Sequence, residues 1–292
     1  MQNSNLKWLY LIILSIIWGS SFILIKKGLL GLTPYQLGAF RTLVTALILF
    51  AVGFKSLKHI DRPAWKWVVI SGFLGSFFPA FLFAIAETQI DSAIASILNS
   101  LVPLNAILLG FAIFKIGFTK RQFIGVIIGF IGTCLLILRG ADLNPEQNYL
   151  YAGFVILSTI MYALNVNIIK KYLQHVKPLS IAAGNYVGIF IPAFLILVFT
   201  DFFTETTYEH PDFQMSVIYV IILSLIGTAL AKVLFNTLIQ ISTPVFASSV
   251  TYLMPIVALI WGLLDGESFG ILQVLASIII LIGVYLANKK KA

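Results

Sequence analysis

Residues 217–239, VIYVIILSLIGTALAKVLFNTLI, form an apolar run interrupted by a single charge, Lys232. A helix this long crosses a bilayer, since about 20 apolar residues span the hydrocarbon core. A lone ammonium in such a helix is costly and rarely faces lipid, so Lys232 points to a polar path inside a helix bundle. The same reading extends along the chain, which is built almost entirely of such runs. Of 292 residues, 60% are hydrophobic and 10% are charged, with mean hydropathy +1.00. A soluble domain carries about 25% charged residues and cannot hide so much apolar surface. Lipid is the solvent that fits this composition.

Ten spans are predicted, at about 8–25, 34–54, 65–86, 91–114, 121–138, 149–169, 179–200, 215–238, 244–264 and 269–287. The fold class is therefore an all-α membrane protein with ten transmembrane helices. The first span lacks a small-residue cleavage site around Trp18-Gly19-Ser20-Ser21-Phe22 and is read as retained. The only cysteine, Cys134, lies in an apolar run, so redox compartment is not legible.

Positive residues choose the side of the membrane. With the N-terminus inside, the inner segments hold Lys7, the group Lys55, Lys58, Arg62 and Lys66, then Lys115, Lys120 and Arg121, then Lys170, Lys171 and Lys177, and finally Lys289 to Lys291. Outside remain Lys26, Lys27 and Arg139, while only Asp61 among the acids is inside. Both termini are expected in the cytoplasm, in a cytoplasmic (inner) membrane, with Lys26 and Lys27 as exceptions. The net charge of +8 sits between apolar spans and does not indicate nucleic acid.

The chain repeats itself. At an offset of 144 residues Trp18 meets Tyr162, Lys26-Lys27 meets Lys170-Lys171 and Pro34 meets Pro178. At an offset of 152, Gly75 meets Gly227, Phe83 meets Phe235, Ala95-Ser96 meets Ala247-Ser248, and Pro103 meets Pro255. Two units, 1–145 and 146–292, follow. Each holds five spans, an odd number, so the second enters the membrane inverted. Inverted repeats characterise secondary transporters, because two such halves can exchange inward-open and outward-open shapes.

The fourth and ninth spans carry matching stripes of small residues. Ser92, Ser96, Asn99, Pro103, Ala106 and Gly110 share one helical face, as do Pro244, Ser248, Thr251, Pro255, Ala258 and Gly262. Such faces are helix seams or the lining of a path. Pro103 and Pro255 each remove a backbone bond near mid-span and are candidate hinges.

Three blocks carry a family resemblance: IIWGSSFILIKKGL…TPYQLGAFRTLVTALILF, SAIASILNSLVPLNAILLGFAIF, and PVFASSVTYLMPIVALIWGLLDGESFGILQVLASIIILIGVYL. They resemble the repeats of the drug/metabolite transporter superfamily, EamA type with ten helices, over nearly the whole chain. The resemblance implies a central cavity built mainly from helices one, three, four, six, eight and nine. It also implies efflux or exchange of small metabolites such as amino acids. One departure is Lys115-Ile116, where the first repeat of the family pattern has Gly-Glu as Gly266-Glu267 does in the second.

Candidate substrate-binding residues are Lys232, with Thr228 and Asn236 one turn away on its face, Trp18, Tyr162, Asn99, Asn165, Thr251 and Tyr252. Lys232 offers a charge to a substrate anion, or snorkels to the inner interface. Arg41 is a candidate gate at the outer mouth, or the partner of Glu87 or Asp91. Trp18 and Tyr162 are cavity walls or plain packing. The buried amides, Asn105 and Asn167 included, need partners on other helices or on substrate. Gly125 and Gly129 form a GxxxG for close packing, or for dimerisation.

No acid lies deep in a span, and His59, His175 and His210 are in loops, so proton coupling through such groups is not indicated. No P-loop, catalytic constellation, metal cluster or cofactor motif is present, so neither cofactor nor metal is expected. The expected partners are a small-molecule substrate and the lipid bilayer; oligomeric state is not legible. The competing reading is an intramembrane enzyme acting on a lipid-linked substrate, with Asp201, Glu205, Glu209, His210 and Asp212 of the longest outer loop at its surface.

Overall fold

The computed structural model describes residues 2–114, 120–143, 146–242, 244–268 and 270–288. Lys115-Ile116 and Lys289 to Lys291 lie outside them. The described chain is helical throughout. The helices are α1 (Gln2–Gly28), α2 (Pro34–Gly53), α3 (Arg62–Ala86), α4 (Ser92–Asn99 and Val102–Phe114), α5 (Lys120–Leu143), α6 (Ala152–Tyr172), α7 (Pro178–Val198), α8 (Phe213–Ile241), α9 (Phe246–Leu264) and α10 (Ile271–Asn288). Eight are long and apolar enough to span a membrane; α5 and α10 carry the shorter apolar segments Phe123–Leu136 and Val274–Gly283.

Local chemistry sets the breaks. Thr33 caps α2 in a reciprocal box with Gln36, and Pro34 occupies the first turn, where no donor is missed. In α3 a π-helical stretch, Phe73–Phe77, precedes Pro79. Pro79 has no N–H for the carbonyl of Gly75 four residues earlier, and the wider turn accommodates its ring. A matching π-helical stretch, Leu223–Leu230, lies in α8. The α4 helix breaks after Asn99, and α9 passes through a 3-10 turn at Ser249–Tyr252. Pro103 and Pro255 then sit in the first turn of the segments that follow, where proline costs least.

The largest helix contacts follow one symmetry: exchanging α1–α5 with α6–α10 carries each onto another or onto itself. Helix α2 packs on α7 and α5 on α10, each against its own counterpart. The α1–α9 contact corresponds to α4–α6, α3–α7 to α2–α8, and α1–α8 to α3–α6. The GxxxG of α5 faces α10, where a Cβ on Gly283 would collide with the backbone of Gly129 and lie 2.7 Å from the Gly125 carbonyl. Outward faces of the bundle expose large apolar side chains such as Ile16, Phe130, Ile191 and Ile282, as a lipid-facing surface does.

Candidate functional site: a cationic cavity below an ionic latch

A cavity with about 1040 Å³ of empty space, part of it open, lies among α1, α2, α3, α4, α6, α7, α8 and α9. Its aromatic walls follow the symmetry of the packing. Trp18 meets Phe235 edge-on at 4.8 Å, and its counterpart Tyr162 stacks on Phe83 at 6.1 Å. Trp18 also donates through Nε1 to the Gly227 carbonyl at 2.9 Å, inside the α8 π-helical stretch. Both readings of these aromatics therefore meet in one place: they pack on each other and they line the cavity.

The Gly75 carbonyl, the counterpart of Gly227, accepts from Lys232 Nζ at 3.1 Å, and Ser76 Oγ is 2.5 Å from the same ammonium. Lys232 is 7% exposed and lines the cavity. The ammonium thus answers the carbonyl that Pro79 leaves without a donor, and the snorkelling alternative is set aside. Gly75 matters here because a side chain would strike the Asn165 amide, which is held by a 2.5 Å bond from Ser71.

Arg41 is in the cavity wall, and its Nε donates to Thr228 Oγ1 at 3.0 Å. It forms no ion pair with Glu87 or Asp91 among the described residues. The difference arises because α2 packs against the α8 π-helical stretch, which sets the guanidinium beside Thr228. Arg41 and Lys232 repel each other, and no carboxylate lines the cavity among the described residues.

The remaining amides and hydroxyls divide. Asn99, Asn165, Asn236 and Thr251 line the cavity; Tyr252, Pro103 and Pro255 do not. Asn236 Nδ2 donates to the Pro178 carbonyl at 3.3 Å, and Thr251 Oγ1 to the Ser248 carbonyl at 2.9 Å. Asn105 and Asn167 find helix partners in Thr159 and in the carbonyls of Ala163 and Ala106. The Asn99 Oδ1 is buried and has no hydrogen-bond partner. Pro103 and Pro255 sit next to the lining residues Val102 and Met254 without joining the lining.

Above the cavity is a cluster absent from the sequence reading. Lys26 Nζ lies 2.9 Å from both Asp265 Oδ2 and Glu267 Oε1, and Lys27 pairs with Asp265. Glu267 is 9% exposed and also accepts from the Ser92 amide at 3.2 Å, the Ser92 hydroxyl at 2.7 Å and the Ala93 amide at 3.2 Å. It thereby caps α4, where backbone donors are unpaired and a negative charge is favoured. This latch ties α1, α4 and the α9–α10 turn together. It also accounts for Lys26 and Lys27, whose charges are neutralised locally by acids of the same end. The only sequence signal was the Gly266-Glu267 pair itself.

A helical bundle of this hydropathy, with an internal cavity of mixed apolar and basic lining, is a multi-pass membrane protein. The EamA-like transporter family matches residues 6–138 and again 150–289, and the chain belongs to that family. It is 26% identical to Protein PecM of Dickeya dadantii, over 94% of this chain and 92% of that protein. To a "Probable amino-acid metabolite efflux pump" of Salmonella typhimurium it is 23% identical, over 93% and 91%. An uncharacterized transporter of Bacillus subtilis, YdfC, is 29% identical over 53% of this chain, a match spanning 52% of the relative. A solved crystal structure shares the fold at TM-score 0.66 and 16% identity, covering 97% of this chain and 96% of its own.

Proposed function

We propose that the protein is an alternating-access secondary transporter for small anionic or zwitterionic metabolites, amino acids among them, working by efflux or exchange. The units 1–145 and 146–292 are the halves that rock against each other, and both termini are cytoplasmic. One observation carries this reading: Arg41 and Lys232 line one cavity whose lining, among the described residues, holds no carboxylate. Two basic side chains facing one cavity, Lys232 buried and Arg41 partly so, are costly without an anion in it, and an anionic solute supplies that charge. The unpartnered Asn99 Oδ1 adds an acceptor suited to an ammonium or amide donor, and the aromatic walls suit an apolar body. The repeated family match and the Salmonella relative's name support the same direction.

The test uses protein in lipid nanodiscs with L-phenylalanine, benzoate and the neutral isostere benzamide. Binding stabilises the folded state by mass action, so benzoate or L-phenylalanine raises the unfolding midpoint and benzamide does not. In proteoliposomes Lys232→Gln reduces uptake of the ligand so found by about 10-fold or more, as loss of a charge-assisted bond implies. Equal stabilisation by benzoate and benzamide, or unchanged uptake by the variant, removes the anion from the mechanism.

A further inference from the structure

Glu87 follows the last residue of α3 and is 7% exposed. Both of its carboxylate oxygens are buried without a hydrogen-bond partner. It is not part of the cavity lining, although Phe83 one turn below it is. The charged groups that act on it come from three directions: Glu267 from the turn after α9, Arg41 from α2 and Lys26 from α1. Asp91, at the start of α4, is under the influence of the same Glu267 and Lys26. Tyr162 of α6, which packs on the same stretch of α3, faces Arg41. Glu87 therefore stands between the latch and the cavity, coupled to one member of each.

We propose that Glu87 is a proton-binding site whose occupancy is linked to anion binding in the cavity. An ionised carboxylate shut away from water and without donors is unfavourable, whereas the neutral acid loses little in the same place. With the latch closed as here, Glu87 holds a proton. When the latch opens and water reaches it, the O–H bond breaks, the proton leaves to water, and the carboxylate is solvated. Closing reverses this, and no other bond changes. The sign of the linkage follows from Coulomb's law. Ionised Glu87 offsets the charge of Arg41 and repels Glu267; protonated Glu87 leaves Arg41 free to attract an anion and lets Glu267 pair with Lys26 unopposed. Proton and anion thus favour each other's binding, and by reciprocity each raises the affinity for the other. The anion half of this inference rests on the proposed function; the proton half does not.

Two measurements separate them. Infrared difference spectra of the wild type at neutral pH, taken against Glu87→Gln, are expected to show a protonated-carboxyl C=O band that the variant lacks. Benzoate, itself ionised throughout, is expected to bind the wild type about 10-fold more tightly on going from about pH 8 to about pH 6. Glu87→Gln keeps the neutral shape and is expected to bind tightly and equally at both. A band that survives in Glu87→Gln, or no band at all, overturns the proton site. A pH dependence of benzoate binding that is absent in the wild type, or retained in the variant, overturns the linkage. Failure of benzoate to bind at any pH counts against both the proposed function and the linkage, while the infrared result still decides the proton.

Discussion

Lys26, near the end of α1, and Glu267, in the turn between α9 and α10, form an ion pair of 2.9 Å. Their meeting joins α1 to the N-terminus of α4 through the acceptor bonds of Glu267 to Ser92 and Ala93. The counterpart of Lys26 in the second half, Lys170, pairs with no acid among the described residues. It donates instead to the carbonyls of Ile239 and Ser242 at 3.2 and 2.7 Å, capping the end of α8. The two ends of the bundle thus close by different chemistry on one symmetric frame: a charge pair at one, a carbonyl cap at the other.

Truncating Glu267 to alanine strips α4 of its cap and leaves Lys26 with Asp265 alone. Lys26 is about a third exposed, which moderates the loss. Destabilisation of about 2 to 3 kcal/mol is expected, read as a lower unfolding midpoint in nanodiscs. Lys26→Ala is milder, because Ser92 and Ala93 still serve the carboxylate.

Lys232 and Pro79 address the same carbonyl, so their substitutions are coupled. Lys232→Met leaves the Gly75 oxygen buried without a donor, at a cost of about 1 to 3 kcal/mol. Pro79→Ala restores a backbone N–H in reach of that oxygen. The double variant is therefore more stable than the sum of the singles, and a double-mutant cycle on unfolding midpoints reads the interaction. Strict additivity speaks against the pairing of Lys232 with this carbonyl.

Gly283 has no space for a side chain against the α5 backbone. Gly283→Leu forces α5 and α10 apart and costs about 1 to 3 kcal/mol or more. The GxxxG of α5 is occupied within the chain, so this change lowers the unfolding midpoint without altering the mass of the particle measured by light scattering.

Orientation can be read by labelling. In a Cys134→Ser background, Glu209→Cys and Gln174→Cys place thiols at exposed loop positions of opposite ends. With both termini in the cytoplasm, an impermeant maleimide added to intact cells labels position 209 and not 174. The reverse pattern inverts the topology.

At the other end of the bundle His175 Nε2 lies 2.9 Å from Asp61 Oδ1. This hydrogen bond holds the Asp61 carboxyl below its usual range. A carboxyl depressed in the folded state stabilises above its unfolded value of 3.8 and ceases to do so as pH falls through the lower folded value. Asp61→Asn therefore lowers the midpoint slightly at neutral pH, and the difference from wild type vanishes in strong acid. A difference that persists there assigns it to packing.

The apolar spans and part of the cavity wall were legible in the residues. Hydropathy marks a helix in lipid because no water can serve an open backbone, and a polar residue in that helix must turn inward. Lone charge, repeat and spacing together singled out Lys232, Trp18, Tyr162, Asn99 and Thr251, all of which line the cavity. The same reading failed for Tyr252, whose ring tolerates several surroundings. It also did not give the partner of Arg41, which is Thr228, because a long side chain settles wherever a neighbouring helix offers one. Lys26 stood out only as an exception to the charge topology, Glu87 only as a candidate partner of Arg41, and Glu267 only as part of a repeat pattern. What distinguishes them is distance: Glu267 reaches Lys26 and the start of α4, while Glu87 reaches no donor. Periodicity along one helix determined which face is polar. Which charges meet across helices, and which are left alone, was decided only when residues far apart in the chain were brought within a few ångströms.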